Sequence, residues 1–259
     1  MQHWREKRAV AHILLPRSKE VKISIKRASG FATYDVDLQD ATLLEVLNSI
    51  KTKQDSSLAY SSGCRSSVCG SCAMRVNEKE VLACAYKVED GDVIEPLKNV
   101  AVIRDLVVNM DKALETKKRA KTWLKSYNKE AKLTHEDEKI NALQSDCILC
   151  ASCYSACPVY DVNEAFLGPF ALTGVWKYVS DKREADSKEK LETIQTDGVW
   201  DCTLCNECTL VCPQNISSKA DIEKLRMRST MAGYTDPSFS QNFGGGFNSG
   251  FGFDGSPSF

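Results

Sequence analysis

The 259-residue sequence predicts an α+β chain of two domains, a small strand-and-helix domain over residues 1–105 and a helical domain over 106–239. Three observations carry this. Apolar residues in the first hundred positions switch between period-two and helical spacing; from about Leu106 the chain becomes helical and highly charged; and twelve cysteines fall in three groups of four, one in the first part and two in the second. A chain of this length is long for one compact core and suits two, since domains commonly run about 100–150 residues.

Val21, Ile23 and Ile25 alternate with polar residues, and a second extended run surrounds Tyr34, Val36 and Leu38, with Gly30 between them as the turn of a hairpin. Residues 41–53 set Leu43, Leu44, Val46, Leu47 and Ile50 at helical spacing, with Asp40 as the cap. Past the first cysteine group, strands are expected at 73–76, 81–88 and 93–96, with a turn at Glu89-Asp90-Gly91-Asp92. The second domain opens with a helix expected over 111–132, on which Lys112, Lys117, Lys118, Arg119, Lys121, Lys125 and Lys129 form a solvated face. Between 159 and 200 the apolar periodicity predicts two or three helices, with a break at Gly168-Pro169. Residues 240–259 are rich in glycine and phenylalanine, a composition that builds no core, and are expected to be disordered.

Composition removes several functions. With 34 basic and 35 acidic residues the net charge is -1, which leaves no electrostatic footprint for nucleic acid and points to protein partners. The longest apolar stretch, 101–110, is broken by Arg104 and Asp105 and falls short of the roughly 20 residues that span a bilayer. Residues 1–16 carry Arg5, Lys7 and Arg8 before a short apolar patch, but His12 interrupts it and no small-residue cleavage site follows, so no secretory signal is expected. The three histidines, His3, His12 and His135, lie in polar or terminal contexts that suit the surface. Neither a glycine-rich dinucleotide fingerprint nor a P-loop is present, so no organic substrate site is expected.

The cysteines carry the chemistry. Six disulfides would suit a short secreted chain; here tight clustering and enough apolar sequence for ordinary cores favour reduced thiolates gathered on metal. Cys64, Cys69, Cys72 and Cys84 give C-x4-C-x2-C and a distant fourth cysteine, the plant-type 2Fe-2S spacing. Gly63 and Gly70 permit a tight loop whose backbone N–H groups face the sulfurs, and Ser62, Ser66, Ser67 and Ser71 are further donors. A zinc site is the competing reading, but this spacing does not match paired C-x2-C knuckles. Cys147, Cys150, Cys153 and Cys157, and again Cys202, Cys205, Cys208 and Cys212, each form C-x2-C-x2-C-x3-C followed by Pro158 or Pro213. Two such runs are the two-cluster ferredoxin signature, in which each fourth cysteine serves the other cluster. That pairs Cys147, Cys150 and Cys153 with Cys212 on one 4Fe-4S cluster, and Cys202, Cys205 and Cys208 with Cys157 on a second. Asp146, Asp201 and Glu207 beside these ligands would lower the potential if charged.

This order of motifs resembles the iron-sulfur subunit of the succinate dehydrogenase and fumarate reductase family. The likeness spans residues 21–228 and rests on Ser62-Gly63-Cys64-Arg65, on Cys69-Gly70-Ser71-Cys72-Ala73-Met74, on the segment from Val102 to Val108, and on both cysteine runs with Gly168-Pro169 between them. It implies a β-grasp 2Fe-2S domain followed by the helical two-cluster domain. It further implies a partner flavoprotein subunit with FAD that interconverts succinate and fumarate, a membrane anchor, and a place for this chain as the wire between them, peripheral on the cytoplasmic side of the membrane. The sequence departs from the family's usual pattern at three places. Cys205 is present where most members lack that cysteine and hold 3Fe-4S. Tyr160-Asp161-Val162 and Thr203 stand where the quinone pocket has a tryptophan pair and a histidine, and Ser67 stands where glycine is frequent. These departures resemble the variant branch whose anchor is a cysteine-rich subunit similar to part of heterodisulfide reductase, which implies a quinone- or thiol-linked membrane partner, the acceptor or donor being a low-potential quinone or a thiol. The alternative is a linking subunit of another flavoprotein dehydrogenase, of heterodisulfide reductase or glycerol-3-phosphate dehydrogenase type; the latter typically lack a domain like that of Cys64 to Cys84.

Overall fold

The structure, a computed structural model, describes residues 21–37 and 40–238. Leu38, His3, His12, the basic N-terminal patch and the glycine- and phenylalanine-rich tail lie outside the described residues.

Strands β1 (Val21–Arg27) and β2 (Gly30–Val36) form the expected antiparallel hairpin. Gly30 begins β2, and Ala28 and Ser29 make the turn before it. Helix α1 (Leu43–Lys53) follows, and its cap is Thr42 rather than Asp40. Thr42 Oγ1 accepts from the Glu45 backbone N–H while the Glu45 carboxylate accepts from the Thr42 backbone N–H, a reciprocal pair that satisfies two donors and outcompetes a lone aspartate. Strands β3 (Ala73–Val76), β4 (Lys79–Leu82) and β5 (Val93–Glu95) complete a mixed sheet of order β2-β1-β5-β3-β4, in which β1 and β5 are parallel. The strand expected over 81–88 stops at Leu82, because the chain must turn there to bring Cys84 back to the first cysteine loop. Leu43, Leu44, Val46, Leu47 and Ile50 of α1 bury against Ile23, Ile25, Val36, Met74 and Ile94 of the sheet.

A two-stranded ribbon, β6 (Ala101–Arg104) and β7 (Val107–Asn109), straddles position 105/106, so the change in composition and the end of the strands do not coincide. Asp105 at its turn pins the ribbon to the first domain: its carboxylate accepts from Arg27 Nε and from the Ala59 N–H, both at 2.9 Å. Arg27 also donates to Asp55, to Tyr34 Oη and to Ser57 Oγ. Burial opposes charge on Asp105, but Arg27, the Ala59 N–H and the charge of Arg104 together hold its carboxyl below the usual carboxylate range.

The second part is helical. The expected 111–132 helix is only α2 (Asp111–Arg119), and Lys117 on it is half-buried beside the Phe170 ring rather than on a solvated face. Helices α3 (His135–Ser145), α4 (Ser152–Ser155), α5 (Gly168–Val179), α6 (Lys188–Thr193), α7 (Glu207–Leu210) and α8 (Ser218–Met231) follow, with a 3-10 turn at Pro158–Asp161. Gly168-Pro169 starts α5 rather than breaking a helix, as a proline at a first turn does without losing a needed N–H. Buried along most of its length, α5 is the central rod against which α2, α3, α4, α6 and α8 pack.

The two parts meet closely. Asn99 Nδ2 donates to the carbonyls of Tyr154, Ser155 and Cys157, and Ser155 Oγ donates to Glu80 while accepting from the Lys98 N–H. Gly70, with φ +70°, lies so near the next cysteine run that an added Cβ would fall 2.7 Å from the Ile148 carbonyl oxygen and 2.8 Å from Cys150 Cβ.

Asp105→Asn keeps the shape but removes the charge facing Arg27, and is expected to destabilise the chain by about 2 kcal/mol; a thermal-unfolding midpoint unchanged from wild type would show that the ribbon is not held this way. Gly70→Ala meets both a left-handed backbone and fixed atoms, so a loss of about 2 kcal/mol and a fall of roughly 4–8 °C in midpoint are expected. Gly91→Ala, at φ +88° with nothing within 4 Å of the added Cβ, is the control that carries the backbone cost alone. Equal midpoints for the two variants would mean that the loop at Gly70 does not abut the second run.

Candidate functional site

The first cysteine loop runs from Ser62 to Cys72, with Cys84 brought in after β4. Its backbone is left-handed at Arg65 and Ser67, both φ +60°, as well as at Gly70. Those reversals turn N–H groups inward: Ser66, Val68 and Cys69 N–H point at Cys64 Sγ at 3.2–3.4 Å, Cys64 N–H at Cys69 Sγ at 3.3 Å, and Ser67 N–H at Cys84 Sγ at 3.3 Å. Two hydroxyls join them, Ser71 at 3.1 Å from Cys69 Sγ and Ser67 at 3.5 Å from Cys84 Sγ. The Ser66 and Val68 N–H groups draw the Cys64 thiol down to about 6. Cys84 is likewise lowered, its burial outweighed by Ser67 and Cys72, whereas burial pushes Cys72 up to about 11. The loop is thus built to hold negative charge on sulfur. Cys64 and Cys69 are exposed, and Val68 between them is 66 % exposed. Of the expected donors, Ser62 makes no hydrogen bond to these sulfurs, and Ser66 contributes its N–H while its hydroxyl reaches the Cys64 carbonyl.

The other eight cysteines surround two cavities. Cys147, Cys150, Cys153 and Cys212 line one, with Ile148, Phe170 and Ile216 closing it; Cys157, Cys202, Cys205 and Cys208 line the other, with Val159, Leu204 and Ile222. Pro169 lines both, so the start of α5 stands between them. A Cβ on Gly168 would overlap Tyr160 Oη, which donates to the Leu167 carbonyl at 3.0 Å, so only glycine fits at that corner. The two runs share one backbone path. Leu149 and Leu204, each two residues past the first cysteine, have φ +56°, and Ala151 and Asn206, each one past the second, have φ +59° and +77°. Each run then enters a four-residue helix, α4 or α7. A left-handed leucine costs about 1–2 kcal/mol, and the same cost at matching positions marks a loop shape imposed by what it encloses.

Burial dominates these thiols. It pushes Cys153 well up, Cys157 to about 11 and Cys208 to about 12, and it raises Cys150 and Cys202 as well. Lys117 faces Cys147 and Cys153; burial disfavours its charge and those two thiols favour it. Asp201 has its carboxyl raised, chiefly by burial and then by Asp197, which reduces its charge beside Cys202. His135 is an exposed residue of the first turn of α3, near Glu138.

Among the described residues, no three His, Cys, Asp or Glu side chains converge on a point that would hold a single metal ion. The eight thiols of the two runs instead line two cavities, four to each, a donor set that suits 4Fe-4S groups. Missed from sequence were Asn99 and Gln214, which tie loops across the chain, and Pro169 as the wall shared by two cavities; no spacing rule marks them. Gln214 Nε2 donates to the Ser67 carbonyl at 3.3 Å, from just past the Cys212-Pro213 pair.

Comparison with known proteins agrees with this geometry. Residues 19–115 match the 2Fe-2S iron-sulfur cluster binding domain and residues 143–216 the 4Fe-4S dicluster domain. The 8-methylmenaquinol:fumarate reductase iron-sulfur subunit of Wolinella succinogenes is 34 % identical over 235 residues, 82 % of this chain and 74 % of that one. The fumarate reductase iron-sulfur subunit of Mycobacterium tuberculosis is 33 % identical over 215 residues, 78 % of this chain and 87 % of that one. A chain of the Mycobacterium smegmatis Sdh1 complex in the apo form superposes with a TM-score of 0.75 at 21 % identity, covering 84 % of this chain and 98 % of that one, a likeness of fold. Loops shaped for iron-sulfur groups, two cluster-binding domains in this order, and relatives matched over most of their length together place the chain in the family of iron-sulfur subunits of succinate dehydrogenases and fumarate reductases.

Proposed function

We propose that this chain relays electrons between a FAD-containing flavoprotein subunit that interconverts succinate and fumarate and a membrane-associated subunit. The observation that carries it is the succession of three four-cysteine sites, the first touching the second at Gly70 and the second sharing Pro169 with the third. In this reading Cys64, Cys69, Cys72 and Cys84 hold a 2Fe-2S group; Cys147, Cys150, Cys153 and Cys212 hold a 4Fe-4S group; and Cys157, Cys202, Cys205 and Cys208 hold a second 4Fe-4S group. When bound, each group takes up and gives back one electron. The chain's own residues hold the thiolates, aim N–H groups at sulfur, and keep water from the inner sites with Phe170, Ile216 and Ile222.

The ends of the series are open to partners. Cys64, Val68 and Cys69 present the first site to a flavoprotein, and Cys205 is exposed at the third, with Leu210 nearby in sequence and 72 % exposed. Among the described residues no helix is long and apolar enough to cross a membrane. In this reading the chain sits peripherally on its anchor subunit, at the cytoplasmic face. The domain division fits the same reading: strands up to Asn109 carry the first site, and the helices from Asp111 to Met231 frame the other two.

The anchor is of the cysteine-rich, heterodisulfide-reductase-like kind. Cys205 completes the third set of four thiols, and Tyr160, at a position of the family's usual quinone pocket, is instead buried with its ring 4.2 Å from Tyr154 and its hydroxyl spent on Leu167.

Iron and acid-labile sulfide analysis with EPR tests the whole reading: anaerobically purified chain should hold about ten irons, from 2 + 4 + 4, and show no oxidised 3Fe-4S signal. About nine irons with a strong oxidised 3Fe-4S signal would remove Cys205 from the ligands. Cys205→Ser should turn the wild-type behaviour into that second pattern, while colourless protein with bound zinc would end the electron-transfer reading altogether.

A further inference from the structure

We propose that Ser67 sets the reduction potential of the 2Fe-2S group, its hydroxyl donating a hydrogen bond to Cys84 Sγ. The inference rests on the reading of Cys64, Cys69, Cys72 and Cys84 as that group's ligands. Ser67 stands where the resembled family frequently has glycine, and its backbone is left-handed, φ +60°, a conformation that glycine adopts freely and serine does not. The chain therefore carries a side chain where the backbone disfavours one. That side chain meets sulfur: Oγ lies 3.5 Å from Cys84 Sγ, within the longer reach of a sulfur acceptor, beside the Ser67 N–H at 3.3 Å from the same atom. A cysteine that ligates iron is a thiolate and has no proton to give, so the hydroxyl is the donor.

Reduction adds negative charge to the group and its sulfurs. A donor already aimed at one of them stabilises the reduced form more than the oxidised form and raises the potential. Ser71 offers the contrast. Its hydroxyl is nearer its sulfur, 3.1 Å from Cys69, but both residues are exposed and water can replace it. Ser67 is half-buried, and its backbone is held from behind, its carbonyl accepting from Gln214 Nε2, so its hydroxyl is less open to replacement by water than that of Ser71.

The test is an EPR-monitored redox titration of the full chain, wild type against Ser67→Ala, Ser67→Gly and Ser71→Ala. Both Ser67 variants should make reduction of the 2Fe-2S group less favourable by between about threefold and tenfold, tenfold being about 59 mV for one electron. Ser71→Ala should stay within twofold of wild type. Pulsed EPR of the reduced protein in deuterated water should lose one exchangeable-deuteron coupling in both Ser67 variants, a signature that a merely structural role leaves in place. An unmoved midpoint in Ser67→Ala, a retained coupling, or failure of both Ser67 variants to assemble the group would each overturn the proposal. A wild-type chain with no reduced 2Fe-2S signal would instead sink the ligand reading beneath it, so the two failures are separable.

Discussion

The helical domain depends on an exchange of cysteines between its two runs. Cys212 stands with the first run and Cys157 with the second, so neither run assembles four thiols until both lie side by side. Helix α5 enforces that neighbourhood: it starts at the wall between the two cavities, and its buried length is what the surrounding helices pack on. Burial raises the thiols of Cys153, Cys157 and Cys208, so in the proposed reading loading iron on them expels protons from the interior and couples metal binding to the packing of this domain.

The first site solves part of the charge problem in another way. Two of its four cysteines, Cys64 and Cys69, lie at the surface, and backbone N–H groups make negative sulfur acceptable there, which is why Cys64 is drawn down, whereas buried Cys72 is pushed up like the inner thiols. The common element is local strain. Arg65 and Ser67 in the first loop, and Leu149, Ala151, Leu204 and Asn206 in the other two, all hold left-handed backbone. A chain that must curl round a compact group has few other ways to present several N–H groups or thiols to one centre.

Much of this was legible in the residues themselves. Period-two alternation and a second extended run located β1 and β2, helical spacing located α1, and cysteine spacing drew attention to the twelve side chains that the fold gathers in three groups of four. Other features depended on which of two local signals wins. Thr42 with Glu45 outweighs Asp40 as a cap, and β4 is cut short by the path to Cys84 although Val81 to Val88 has strand character. Lys117 reads as one more surface charge until the fold sets it over Phe170 and against two thiols. The contact of Gly70 with Cys150 and the reach of Asn99 to three carbonyls belong to tertiary packing alone. Nor does composition reveal strain at a leucine, because left-handed backbone announces itself in sequence mainly where glycine stands.

The hydrogen bond from Gln214 to Ser67 joins residues 147 positions apart. On the ribosome the first loop emerges long before its partner exists, and at about 5–20 residues per second the interval is roughly 7–30 s. During synthesis, then, the N-terminal site stands unroofed on the side that the second domain later covers. The order of manufacture leaves this loop without its neighbours Ile148, Cys150 and Gln214 until the second domain has been made.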